Sequence, residues 1–163
     1  MFDAIDLRIL SLLQANARIA NAEIARLLDM APSAILERIR KLEQKGALLG
    51  YEARIAPRAI GLGLTAFVFV RTDEAAGAIS TGKALAELPE VQEVHHVAGE
   101  DCYLVKVRAR DTDDLARILR ERFQAIPQLR STRTTICLGT LKETAQLPLI
   151  QLHQHDGEAT DAA

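Results

Sequence analysis

The sequence is short of cysteine, of long apolar runs and of net charge. Its 163 residues contain two cysteines, Cys102 and Cys137. Two thiols cannot build a disulfide framework, and their expected state is reduced, in a cytoplasm. No C-x-x-C occurs, which excludes the usual thiolate zinc motif. No apolar run reaches the roughly 18 residues of a membrane span. The stretch Met1-Phe2-Asp3-Ala4-Ile5-Asp6 has neither the basic nor the apolar region of a signal peptide, so a cytoplasmic location is expected. Ser/His/Asp and Cys/His/Asn arrangements and phosphate-cradling glycine loops are missing at motif spacing. No catalytic residue, cofactor or metal is therefore assigned. The net charge of −2 and pI of 6.1 exclude a strongly basic, indiscriminate nucleic-acid coat.

What is present is an ordinary globular composition, 48% hydrophobic and 26% charged, enough to fill a core. The length allows one medium domain or two small ones. Charge divides them. Residues 1–60 carry nine Lys and Arg against seven Asp and Glu, whereas residues 61–163 carry eleven against fifteen.

The first part reads as helices. Ile5, Ile9, Leu12 and Leu13 form an amphipathic stripe, and Asp3 and Asp6 favour a helix start. A second helix is expected from Asn21 as N-cap, with Ile24, Leu27 and Leu28 as its stripe. Asp29-Met30-Ala31 breaks the pattern, and Pro32 then takes the first-turn position that proline prefers. Ile35, Ile39 and Leu42 form a third stripe, closed by Gly46 as C′ residue. Residues 48–55 read as a strand, and Pro57 with Gly61-Leu62-Gly63 as a hinge.

The second part contains a repeat with an offset of 38 residues. Phe67 and Phe69 map onto Val105 and Val107, Asp73 onto Asp111, Leu88-Pro89 onto Ile126-Pro127, and Val91 onto Leu129. Each unit reads strand, helix, Pro turn, strand. The expected strands are 64–72, 91–98, 102–110 and 129–141, and the helices 77–87 and 112–125. Two tandem βαβ units give a ferredoxin-like βαββαβ layout, with Gly99-Glu100-Asp101 in the central hairpin.

Helix, short break, helix is a helix-turn-helix pattern. With Ile35, Ile39 and Leu42 inward, Ala34, Glu37, Arg38, Lys41 and Lys45 share a neighbouring face. Ser33 and Ala34 are small enough for close approach to a groove. Ser33 suits a phosphate or base edge, Arg38 a guanine, Glu37 a cytosine, and Lys41 and Lys45 phosphates. Taken alone, this face reads equally well as a solvated charged surface. On the DNA reading, Arg38→Ala and Lys41→Ala weaken binding strongly.

Asp6-Leu7-Arg8-Ile9-Leu10, Asn16-Ala17-Arg18-Ile19, Glu23-Ile24-Ala25, Pro32-Ser33-Ala34-Ile35, Arg38-Ile39, Leu42-Glu43, Gly46 and Gly50-Tyr51 are spaced as in the Lrp/AsnC (feast/famine) transcription regulators, which the chain resembles. Residues 61–68, Val97-Ala98-Gly99-Glu100-Asp101-Cys102-Tyr103, Lys142 and Leu147-Pro148-Leu149 extend the resemblance across residues 2–149. It implies an α+β architecture. A winged-helix-like helix-turn-helix domain at 1–50 binds double-stranded DNA. It implies a ferredoxin-like effector and oligomerisation domain at 64–149, while the residues themselves read as a linker strand and hinge at 51–63 and a polar tail at 150–163. The resemblance further implies a homodimer that associates through its sheet, often to an octamer, and a small-molecule effector, usually an amino acid. By position, Gly99, Glu100, Asp101, Cys102 and Tyr103 form the effector loop, and Thr132 and Thr134 face the pocket. Cys102 stands where the family commonly has aspartate, which removes a carboxylate that could hold a ligand ammonium.

Two other functions share this architecture. Siroheme decarboxylases resemble these regulators and use histidines in the second domain, where this chain has His95-His96. A sensor module that no longer binds DNA is the other. A His95/His96/Cys102 metal site is disfavoured, because adjacent strand residues point to opposite faces. His153-x-His155-Asp156 reads as solvated tail, Cys137 as a small buried hydrophobe, and Phe67 and Phe69 as core or sheet-interface residues.

Overall fold

Asp3 starts the first helix by capping it. Its carboxylate accepts from the Asp6 N–H at 2.8 Å, and Asp6 reaches back to the Asp3 N–H at 3.4 Å. Such a reciprocal box satisfies two N–H groups that a helix start otherwise leaves open. Helix α1 (Ala4–Ala15) follows, then α2 (Asn21–Leu28) and α3 (Pro32–Gln44). In this computed structural model, which describes residues 2–75 and 77–149, the chain divides into two units. The first comprises residues 2–54 and 143–149, the second 55–142. The tail from residue 150, with its His153-x-His155-Asp156 run, lies outside the described residues.

Ile9, Leu10, Leu13, Ile24, Ala25, Ile35, Ile39 and Leu42 make the core of the first unit. Full burial of each Leu or Ile side chain contributes about 1.5–3 kcal/mol, and this cluster holds the three helices together. Two details differ from the sequence reading. Asn21 is the first helical residue of α2 rather than its cap, and Leu27 is exposed while Ala25 takes the buried position. Gly46 closes α3 as expected. Its φ of +68° is left-handed, and the Ala47 N–H returns to the Leu42 carbonyl at 2.9 Å.

The end of the described chain belongs to this first unit, whereas the sequence reading put residues through 149 with the second. Gln14 explains the difference. Its side-chain oxygen accepts from the Leu147 N–H at 2.8 Å, and its amide donates to the Leu147 carbonyl at 3.1 Å. The Gln146 amide donates to the Gln14 carbonyl at 3.1 Å, and Leu149 packs against the helical core. Residues 48–55, expected as a strand, run without a ladder partner. They are held by side chains instead: the Tyr51 hydroxyl bonds Glu43 at 3.2 Å, and Arg54 donates to the Glu143 carbonyl at 3.0 Å.

In the second unit a 3-10 turn (Pro57–Ile60) leads to β1 (Leu64–Thr72), α4 (Ser80–Ala86), β2 (Val91–His96), β3 (Tyr103–Ala109), α5 (Thr112–Ile118) and β4 (Leu129–Ile136). A π-helical stretch, Leu119–Phe123, prolongs α5. The four strands are antiparallel in the order β2-β3-β1-β4, the ferredoxin-like arrangement expected from the sequence. Ala66, Val68, Val70, Tyr103, Val105, Val107 and Ala109 point to one face, where they meet Leu85 of α4, Leu115 and Ile118 of α5, and Phe123.

The 38-residue offset holds for the second strand of each repeat but not the first. Val68, not Phe67, pairs with Val105 and shares its buried face. Phe67 and Phe69 pair with Lys106 and Leu104 on the opposite face. Because side chains alternate, a slip of one residue moves them from the core to the open surface. Helix α4 is also shorter than expected. Glu74 accepts from the Thr81 N–H at 2.8 Å and from the Ser80 hydroxyl, so the helix starts at Ser80. The matching cap of α5 is Asp111, which accepts from the Asp114 N–H at 2.8 Å.

Candidate functional site

Asp29 ends α2 in the left-handed region at φ +52°, which short polar residues tolerate. The Met30 N–H turns back to the Ala25 carbonyl at 2.9 Å, and α3 begins at Pro32. This three-residue break sets α3 against α2 and turns one side of it outward. Ile35, Ile39 and Leu42 are buried, while Ser33, Leu36, Glu37, Arg40, Lys41 and Gln44 are exposed. At 100° per residue, Ser33, Glu37, Arg40 and Gln44 stand opposite the buried stripe.

The exposed face is therefore rotated from the one read in the sequence. Ala34 and Arg38 are only partly exposed, and with Lys41 and Lys45 they border a shallow groove of about 450 Å³ against Asp6 and Met30. Arg38 is engaged within the chain. Its Nη1 lies 2.8 Å from Asp3 and 2.7 Å from Asp6. These contacts hold the guanidinium pKa above its ordinary value, through Asp3 first and then Asp6. The Asp3 carboxyl is held below the usual value by the Asp6 N–H and by Arg38. The Lys45 ammonium sits 5.6 Å from the Phe2 ring centroid. Lys41 lies 3.5 Å from Glu37, an exposed pair of little energetic consequence. Ser33, Glu37, Lys41 and Lys45 thus remain exposed, whereas Ala34 and Arg38 are half-buried. Leu36, Arg40 and Gln44 were missed. Taking the direction opposite Ile35, Ile39 and Leu42 would have found Arg40 and Gln44, with Leu36 at its edge.

The second set of residues surrounds the β2–β3 hairpin. The Val97 N–H donates to the Cys102 carbonyl at 2.9 Å, and the Cys102 N–H to the Val70 carbonyl at 2.8 Å. Gly99, at φ +134°, makes the turn. Two arginines of the open sheet face hold the loop acids. Arg71 pairs with Glu100, and its Nε lies 3.5 Å from Asp101. Arg133 approaches Asp101 at 2.8 Å and stacks on the Phe69 ring at 4.1 Å. The Cys102 thiol accepts from the Thr72 hydroxyl at 3.5 Å.

Tyr103, expected in the loop, is instead in the core. It is 2% exposed, stacks on His96 at 5.1 Å and donates to Glu74 at 3.1 Å. Burial, then Glu74, pushes its hydroxyl pKa up. Thr132 and Thr134 pair with Val70 and Val68, which puts them on the helix-covered side of β4. The structure thus brings Glu100 and Asp101 together with Arg71 and Arg133, and leaves the two threonines on the other face. Arg71 and Arg133 were missed, since only the fold shows that they reach the loop.

His95 and His96 diverge. His95 pairs across the sheet with Leu104 and lies 3.3 Å from Glu93, while His96 covers Tyr103. Among the described residues no group of three or more His, Cys, Asp or Glu could hold a metal ion. Cys137 is only partly buried, and its thiol donates to the Gly139 carbonyl at 3.4 Å; a loop contact replaces the expected core position. Among the described residues no helix is long and apolar enough to cross a membrane.

Known proteins share both units. The AsnC-type helix-turn-helix domain matches residues 2–43, and the Lrp/AsnC ligand binding domain matches residues 65–147. The chain is 36% identical over 148 residues to the HTH-type transcriptional regulator FL11 of Pyrococcus horikoshii, covering 90% of this chain and 96% of that protein. It is 33% identical to the leucine-responsive regulatory protein of Escherichia coli, covering 89% and 90%. A Neisseria meningitidis transcriptional regulator solved with L-methionine superposes at a TM-score of 0.85, with 28% identity and coverage of 93% and 99%. These relatives are named as regulators, and none supports the decarboxylase alternative. The chain belongs to the Lrp/AsnC family of transcriptional regulators.

Proposed function

We propose that this regulator reads DNA with the outward face of α3 and responds to an amino acid held near the β2–β3 hairpin. The exposed face of α3 carries the reading. Arg40 can bond a guanine in bidentate fashion, Gln44 an adenine, and Leu36 can pack on a thymine methyl. Ser33 and Lys41 suit phosphates, and Glu37 suits cytosine. Helix α2 crosses the backbone, and two such units in a homodimer meet a pseudo-palindrome.

Phe67, Phe69 and Leu104 lie on the sheet face away from the helices, and this face joins two copies. Further association of dimers, up to an octamer, adds avidity to a modest single-domain affinity. Glu100 and Asp101 attract a ligand ammonium, and Arg71 and Arg133 its carboxylate. Thr132 and Thr134 join the site where a neighbouring subunit covers the β4 edge. The ligand shifts DNA binding only by binding two assemblies unequally. The protein works in the cytoplasm.

Gel retardation with genomic fragments, with and without an amino-acid panel, tests this reading. Retardation at physiological salt that one amino acid changes is expected. No retarded fragment under any condition would leave a sensor module without DNA binding.

A further inference from the structure

Arg38 lies on the helix that contacts DNA, but its guanidinium points elsewhere. Its Nη1 bridges Asp3 and Asp6, the two carboxylates whose capping box starts α1. The Asp6 side chain is 15% exposed, Arg38 28% and Asp3 53%, so the Arg38–Asp6 pair is partly shielded while Asp3 closes the cluster from the solvent side. Lys45, the C-cap of α3, reaches the same segment through Phe2. Three polar groups and one ring contact therefore join the start of α1 to the side of α3. A helix that reads base edges must be held in a fixed rotation, because small misplacements spoil bidentate geometry.

We propose that Arg38 is a positioning residue: bridging Asp3 and Asp6, it fixes the rotation of α3 so that Arg40 and Gln44 face the groove. This rests on the reading that α3 contacts DNA. The proposal reverses the effect expected from the two aspartates. If Arg38 read DNA, Asp3 and Asp6 would compete with the DNA for it, and neutralising them would tighten binding. If Arg38 positions α3, neutralising them weakens binding.

The experiment measures specific DNA affinity across a salt series for the full chain. It compares Arg38→Ala, Arg38→Lys, the pair Asp3→Asn with Asp6→Asn, and the triple variant, with Arg40→Ala as a separate control. Arg38→Ala and the Asn pair are each expected to lose about tenfold, the equivalent of about 1.4 kcal/mol. The triple variant should bind no more weakly than either, since the coupled groups act as a unit. The salt slope of Arg38→Ala should match that of the unaltered chain, because no phosphate contact is lost. Arg38→Lys should stay within about threefold, because one ammonium can bridge both carboxylates, whereas a guanine contact would not survive that exchange. It also keeps the test decisive if Arg38→Ala fails to fold. Tighter or unchanged binding by the Asn pair, an additive triple variant, a salt slope reduced by about one, or loss with Arg38→Lys would overturn the proposal. Unaltered binding by Arg40→Ala would instead overturn the reading of α3 and leave the clamp to be judged on the Asn pair.

Discussion

Replacing Gly82 by alanine sets two effects of opposite sign against each other. Gly82 lies in α4, where alanine favours the helix by about 0.8–1.0 kcal/mol. Its missing side chain also makes room for Tyr103. An added Cβ would stand 2.5 Å from Tyr103 Cε1, 3.0 Å from Cζ and 3.3 Å from Cδ1. Ordinary carbon contacts need roughly 3.5–4.0 Å, so the ring must withdraw by about 1 Å or the helix must lift. Neither movement is free. The ring is 2% exposed, and its hydroxyl bonds the Glu74 carboxylate that caps α4. Overpacking of this kind costs about 1–3 kcal/mol. A strained bond to a charged group forfeits up to about 1.5–3 kcal/mol more. Less the helix gain of about 1 kcal/mol, the clash alone leaves about 0–2 kcal/mol and the strained bond adds to it, so Gly82→Ala should destabilise the second unit by about 1–3 kcal/mol, lowering its melting temperature by about 5–20 °C. Calorimetry checks the shift. Tyrosine absorbance adds a local probe, since the chain has two tyrosines and no tryptophan. Tyr103 follows the hairpin directly, so if the proposed ligand site lies there, ligand affinity should fall with stability. A variant melting at or above the unaltered chain would refute the close approach of α4 to Tyr103.

Other outcomes follow from the same contacts. Gln14→Ala removes both bonds to Leu147 and should lower the stability of the first unit by about 1–2 kcal/mol without moving the second transition; two equal shifts in calorimetry would argue against a local strap. Asp114 is held well below its ordinary value of 3.8 by Arg110 first and Arg117 next. Its contribution is complete above that value and is lost as pH falls through the depressed one. Asp114→Asn should therefore be less stable than the parent at neutral pH, with the gap closing in acid; a gap independent of pH in equilibrium unfolding would contradict the ion-pair account.

The helices were legible because each core stripe repeats at helical spacing and punctuation agrees with it: Asp3 at one start, Pro32 at another, Gly46 at an end. The antiparallel sheet followed from the doubled strand–helix–strand pattern. Side-chain destinations that depend on partners distant in sequence were not legible. Nothing near Arg38 announces Asp3, and nothing near Gln14 announces Leu147, 133 positions away. The facing of Phe67 and Phe69 stayed open between core and sheet interface for another reason: period two alone does not say which face is inward, and only pairing with Leu104 and Lys106 does. Tyr103 was assigned to the loop by its neighbours, whereas strand alternation sends it beneath Gly82.

The central claim is that the outward face of α3 reads DNA. Its most direct test is the affinity of Arg40→Ala for a specific site, measured against single-base variants of that site. Loss of a bidentate base contact should cost about 1–3 kcal/mol and relax preference at one position in each half-site. Unchanged affinity and unchanged base preference would contradict the claim.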